Sequence, residues 1–118
     1  MTKKRILAFL IIVLSIVSCS KDSPTSSPAI TFTQPEGKAV NGQYTITGTI
    51  TSSVSLLKVI VTKEGDTAPF IIDDTTAKNK NSYPYSYLIT GITKDTYILI
   101  DIYDQNNTKT STRFLIRI

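Results

Sequence analysis

The pattern of apolar and polar positions changes twice along this chain. Residues 6–17 are apolar except for Ser15, with Lys3, Lys4 and Arg5 in front and the small residue Ser18 behind. Residues 20–28, Ser-Lys-Asp-Ser-Pro-Thr-Ser-Ser-Pro, form a tract without aliphatic or aromatic side chains. From Ile30 onward the pattern is one short β-type segment after another, separated by turn signals, and no stretch carries the 3.6-residue period of an amphipathic helix. The basic start, short apolar middle and small residue have the layout of a secretory signal. About a dozen apolar residues fall well short of the roughly 20 needed to cross a bilayer as a helix. The tract after it has the composition of a solvated, extended chain.

The period-two region predicts one short strand after another. Thr31-Phe32-Thr33-Gln34 is β-rich and runs into Pro35-Glu36-Gly37, which reads as a turn, as does Asn41-Gly42. Residues 44–51 alternate cleanly, with Tyr44, Ile46, Gly48 and Ile50 on one face and threonines on the other, the mark of a half-buried strand. Gly48 on the inner face implies close approach by a neighbouring segment. In residues 57–63 the inward set is Leu57, Val59 and Val61, followed by a turn at Glu64-Gly65-Asp66. Phe70-Ile71-Ile72 is a short edge or connecting strand, and residues 73–82 read as a polar loop. Residues 83–89 place Tyr83, Tyr85, Tyr87 and Ile89 on one parity, ended by Gly91.

Residues 96–103 are apolar on both parities apart from Asp101. Facing Leu99 inward would also bury the Asp101 carboxylate, which is costly without a partner. The favoured register therefore puts Ile98, Ile100 and Ile102 inside. After a turn at Asp104-Gln105-Asn106-Asn107, the last segment faces Phe114, Ile116 and Ile118 inward and Arg113, Leu115 and Arg117 outward.

About seven short strands with a turn signal at nearly every gap predict an all-β fold, an antiparallel immunoglobulin-like β-sandwich over residues 30–118. The run of Pro35-Glu36-Gly37, Gly42, Tyr44-Thr45-Ile46-Thr47-Gly48, Leu57-Lys58-Val59-Ile60-Val61, and Gly91 through the segment ending at Asp104 and Asn107 resembles bacterial immunoglobulin-like and fibronectin type III-like domains. Ile92-Thr93-Lys94-Asp95-Thr96-Tyr97 resembles a tyrosine corner, which implies that Tyr97 turns toward the corner as an exception to its strand's parity. There is no Trp and no Cys pair, so the resemblance does not extend to antibody domains.

Cys19 is the one cysteine of the 118 residues. Ile16-Val17-Ser18-Cys19 resembles the lipobox of bacterial lipoproteins, and Cys-Ser-Lys-Asp is similar to mature starts in the Bacteroidetes. The resemblance implies cleavage between Ser18 and Cys19, acylation of Cys19 with palmitate-type chains, and attachment to the cell envelope at the outer membrane. Residues 1–18 are then the signal peptide and residues 19–29 the lipidated Cys with a tether. Nine extended residues reach about 30 Å, and two or more acyl chains hold a membrane stably where one does not.

Cleavage alters the charge picture. The whole chain has 13 basic and 9 acidic residues, but losing Lys3, Lys4 and Arg5 leaves near neutrality and removes any reading as a nucleic-acid binder. No histidine is present, which excludes Ser-His-Asp and Cys-His catalysis, and with one cysteine there is neither an internal disulfide nor a Cys/His zinc site. No cofactor or metal is expected.

Three sets of residues remain as candidate chemistry. Tyr83, Tyr85, Tyr87, Tyr97 and Tyr103 lie close together in sequence and would form a glycan or protein platform if they shared an exposed face; ordinary core packing is the competing reading. Asp73-Asp74, and Asp101 and Asp104 with Asn106 and Asn107, carry oxygens suited to calcium, but their spacing matches no calcium loop and turn formation accounts for Asp104 and Asn106. A glycosidase pair needs a cleft between two carboxylates, for which a sandwich this small has little room. The last strand runs to the end of the sequence, as expected of a stand-alone module. The expectation is a lipid-anchored, non-catalytic protein-interaction or structural module with an unidentified protein or glycan partner, the alternative being a carbohydrate-binding surface lipoprotein that uses exposed tyrosines.

Overall fold

The computed structural model describes residues 27–118; Ser18, Cys19 and the cleavage site lie outside them. Eight strands follow in order: β1 (Ala29–Phe32), β2 (Gly37–Lys38), β3 (Tyr44–Thr51), β4 (Leu56–Lys63), β5 (Ile71–Asp73), β6 (Ser82–Ile89), β7 (Thr96–Asp104) and β8 (Lys109–Arg117). They form a three-stranded sheet, β1-β3-β6, and a five-stranded sheet, β2-β8-β7-β4-β5. The chain is thus an immunoglobulin-like β-sandwich. Every named strand pairing is antiparallel except β2 with β8.

The alternation read from the sequence builds the core. Ile46 and Ile50 of β3, Val59 and Val61 of β4, Tyr85, Tyr87 and Ile89 of β6, Ile98, Ile100 and Ile102 of β7, and Phe114 and Ile116 of β8 are all buried between the sheets. Their threonine and charged neighbours face outward, as period-two strands require. Asn41 and Gly42 both have positive φ, 55° and 75°. With the paired hydrogen bonds between Val40 and Gln43 they make the tight two-residue turn that leads into β3.

Several expectations are corrected. β1 starts earlier than Thr31 and stops at Phe32, because after Thr33 the chain leaves the smaller sheet. Gly37, read as part of a turn, instead opens β2 and lies parallel to the end of β8, the eighth strand. In β4 the register shifts between Leu56 and Lys58, so Leu56 is fully buried and Leu57 only half-buried; a bulge changes which of two adjacent leucines meets the core. Leu56→Ala is expected to cost about 3 kcal/mol in urea denaturation and Leu57→Ala under about 1 kcal/mol; equal costs would contradict the bulge. Ile118 was expected inside but is 58% exposed, because β8 ends at Arg117 and the Ile118 N–H donates to the exposed Asp95 at 3.0 Å. Tyr97 does not turn into a corner. It keeps its strand's parity on the outer face, beneath Arg113.

Strand direction gives the sandwich two poles. The chain enters β1 beside the loops at residues 52–55, 74–81 and 105–108, tied together by Ser52 N–H to Asn81 O and Gln105 N–H to Ser55 O, each 2.9 Å. The opposite pole carries Asn41-Gly42, residues 64–70 and 90–95, and the end of β8.

Candidate functional site

The five candidate tyrosines do not share a face. Tyr83, Tyr85 and Tyr87 alternate along β6 and point between the sheets; Tyr97 and Tyr103 lie on the outer face of the larger sheet. Tyr85 stacks on Tyr87 at 5.4 Å and donates to the Thr31 carbonyl at 2.9 Å. Burial pushes the Tyr85 phenol well above its ordinary range.

Tyr83 and Tyr87 meet at Asp73. Both hydroxyls donate to Asp73 Oδ2 at 2.8 Å. Asp73 Oδ1 accepts from the Thr76 N–H at 3.1 Å, the Thr76 hydroxyl at 2.7 Å and the Ala77 N–H at 3.1 Å. Asp73 is only 7% exposed. Burial pushes its carboxyl up, but the hydrogen bonds from Thr76, Tyr83, Tyr87 and Ala77 outweigh this and hold it below the usual 3.8. Burial and the adjacent carboxylate drive Tyr87 far upward. Because β5 and β6 are edge strands of different sheets, this carboxylate fastens one side of the sandwich. Its five donors all come from the domain itself.

The other acids are likewise engaged. Asp104, 1% exposed, accepts from the N–H groups of Asn106 and Thr108 at 2.8 and 3.0 Å, and so shapes the turn that reaches positive φ at Asn107. Asp101 sits on the outer face and accepts from the Ser111 hydroxyl at 2.6 Å. Among the described residues no three His, Cys, Asp or Glu side chains are grouped to hold a metal ion.

The two outer faces differ in chemistry. That of the three-stranded sheet holds Thr45, Thr47, Thr49 and Thr51 beside Thr31, Thr33, Ser82, Pro84 and Ser86, with no charge among them. That of the five-stranded sheet mixes aromatic rings with cations. Arg113 lies 4.1 Å above the Tyr97 ring and reaches Glu64 at 3.6 Å. Lys58 and Lys109 flank Tyr103 at 5.0 and 5.9 Å; such cation–ring contacts hold long side chains against the sheet. Beside them runs a shallow groove of about 510 Å³ lined by Leu99, Asp101, Ser111, Thr112 and Arg113. This cross-strand grouping was not found from the sequence. Its one local signal is the alternation of Lys109, Ser111 and Arg113 in the last strand.

No family model matches the chain, and no curated protein matches it. Among solved structures it is similar to the fibronectin(III)-like modules of CbhA from Clostridium thermocellum, at 21% identity and a TM-score of 0.56 over 78% of this chain and 46% of that one. The chain thus spans just under half the length of that structure. The likeness is one of fold, a fibronectin type III-like sandwich.

Proposed function

We propose that this protein is a lipid-anchored lipoprotein of the bacterial cell envelope, held at the outer membrane by acyl chains on Cys19, with a fibronectin type III-like sandwich that acts as a non-catalytic protein-interaction or structural module. The reading is supported by the basic, apolar and small residues that precede Cys19 and by the polar tract after it. Pro28 and Ala29 lie at one pole, so an anchor on the N-terminal side would leave the opposite pole as the end farthest from the point of attachment. Val40, Leu88, Phe70 and Ile118, four of the exposed large apolar residues, lie at or near that far pole. A non-catalytic role accords with Asp73 and Asp104 being occupied as structural acceptors. A weak contact made by the domain gains from confinement to a surface, since tethering raises the effective concentration of partners on the same membrane.

Cell fractionation tests the anchor. The wild-type chain is expected in the membrane pellet and the Cys19→Ala chain in the soluble or secreted fraction. Equal distribution of the two would remove the lipoprotein reading.

A further inference from the structure

The hydrogen-bond ladder of the larger sheet leaves part of its last strand unpaired. In an antiparallel pair, alternate residues direct both backbone groups toward the same neighbour. Asp104 N–H donates to Thr108 O at 3.1 Å, and the β7–β8 register continues from there through Ile102↔Thr110 and Ile100↔Thr112. Even-numbered residues of β8 therefore face β7, and odd-numbered ones face the outer edge. At the end of β8 that edge is filled: Ala39 N–H donates to Arg117 O at 2.7 Å, and β2 pairs with Ile116 and Arg117. Since β2 is two residues long, the outward N–H and C=O groups of Lys109, Ser111 and Arg113 have no strand beside them among the described residues.

The other long edge is less suited. Thr33 N–H donates to Thr47 O at 2.9 Å, so odd-numbered residues of β3 face β1 and even-numbered ones face β6. Through the register Gly48↔Tyr85, the outward groups of β6 belong to Ser82, Pro84, Ser86 and Leu88. Pro84 has no N–H to offer, and a proline at mid-edge is a usual guard against strand addition.

We propose that the outer edge of β8, at Lys109, Ser111 and Arg113, adds an extended segment of a partner protein that carries acidic residues opposite Lys109 and Arg113 and a neutral residue opposite Ser111. The inference rests on the protein-interaction reading and gives it a surface and a partner chemistry. Main-chain pairing supplies the attachment and alternate side chains the selectivity. The shallow groove lined by Leu99, Asp101, Ser111, Thr112 and Arg113 lies on the outer face over β7 and β8, next to this edge. Lys109 stands over the Tyr103 ring, and the ion pair of Arg113 is a long, exposed one to Glu64, of the kind worth little in water. Both cations are available to carboxylates across the new ladder. Arg117 is already held by Glu36 and Asp95 and is not part of the surface. Asp101, bonded to Ser111, disfavours an acid between the two cationic positions. The same pattern argues against a second copy, because two β8 edges placed side by side set cations against cations.

A fluorescein-labelled peptide containing Glu-Val-Thr-Val-Glu, which reads the same in either strand direction, is the probe, with Lys-Val-Thr-Val-Lys as its counterpart. Fluorescence anisotropy with the full chain in detergent micelles is expected to show the acidic peptide binding roughly tenfold tighter, the scale two cross-strand charge pairs supply. Amide exchange is expected to slow at Lys109, Ser111 and Arg113. Ser111→Pro removes the central donor and should abolish binding, whereas Ser111→Ala, which removes only the hydroxyl, should preserve it. The surface double variant Lys109→Glu/Arg113→Glu should reverse the preference, and it keeps the test sharp if proline at 111 perturbs folding. Equal binding of both peptides, unchanged binding by the double variant, or protection at Ser86 and Leu88 instead would overturn the proposal. None of these results would alter the fractionation of Cys19→Ala, so failure of the edge and failure of the anchor are read separately.

Discussion

Gly48→Ala is expected to destabilise the domain by about 3 kcal/mol or more, the upper range for forced overpacking, or to prevent folding altogether. A Cβ at position 48 would stand 1.9 Å from the Thr31 carbonyl oxygen and 2.7 Å from the Tyr85 hydroxyl. The first of these is backbone and cannot swing aside, so β1 must move off β3. Tyr85 would then lose its acceptor on Thr31, and Phe32 its packing against Phe114 at 4.9 Å. For a domain of this size the loss corresponds to a fall in Tm of roughly 12–24 °C. Gly65→Ala is the control. Gly65 has open space around it and a φ of 97°, so only backbone strain of about 1 kcal/mol is expected. Comparable melting temperatures for the two variants would show that β1 does not approach β3 as described.

Removal of the Asp73 carboxylate is the second large effect. Asp73→Ala leaves the Tyr83 and Tyr87 hydroxyls and the Thr76 and Ala77 N–H groups without their acceptor, at an expected cost of about 3 kcal/mol. The pH profile carries its own signature. Because the folded carboxyl lies below its unfolded value of 3.8, its contribution is complete above that value and is lost as pH falls through the folded one. Tyr87 behaves oppositely. Its phenol is raised above 10.0, so its contribution is complete below pH 10 and is lost as pH rises toward the folded value. Thermal melts across pH should therefore show an acid limb that flattens in Asp73→Asn and an alkaline limb that shrinks in Tyr87→Phe. An acid limb identical in wild type and Asp73→Asn would contradict the role assigned to this carboxylate.

What could be read from the chain in advance divides along a physical line. The faces of β3, β6 and β7 were legible because period two is a local property: Thr45, Thr47 and Thr49 alternate with apolar partners, and the cost of burying Asp101 settled the parity of β7. Leu56 and Leu57 are chemically identical, so only the cross-strand bulge could choose between them. Gly37 resembled a turn because its parallel pairing with Ile116 joins residues distant in sequence. Asp73 read as the start of a polar loop, since nothing nearby in sequence shows that two tyrosines of β6 will close on it. The candidate interaction edge was hidden for the same reason. Lys109, Ser111 and Arg113 alternate visibly in one segment, but that their strand stands at a rim beyond the short β2 is a property of the sheet order.

The proposed lipid anchor requires cleavage before Cys19 and acylation of that residue, and intact mass spectrometry of the protein recovered from native membranes tests it most directly. The expected mass is that of a chain beginning at Cys19, increased by acyl groups that are absent from the Cys19→Ala protein. A soluble chain with an unmodified Cys19 thiol would contradict it.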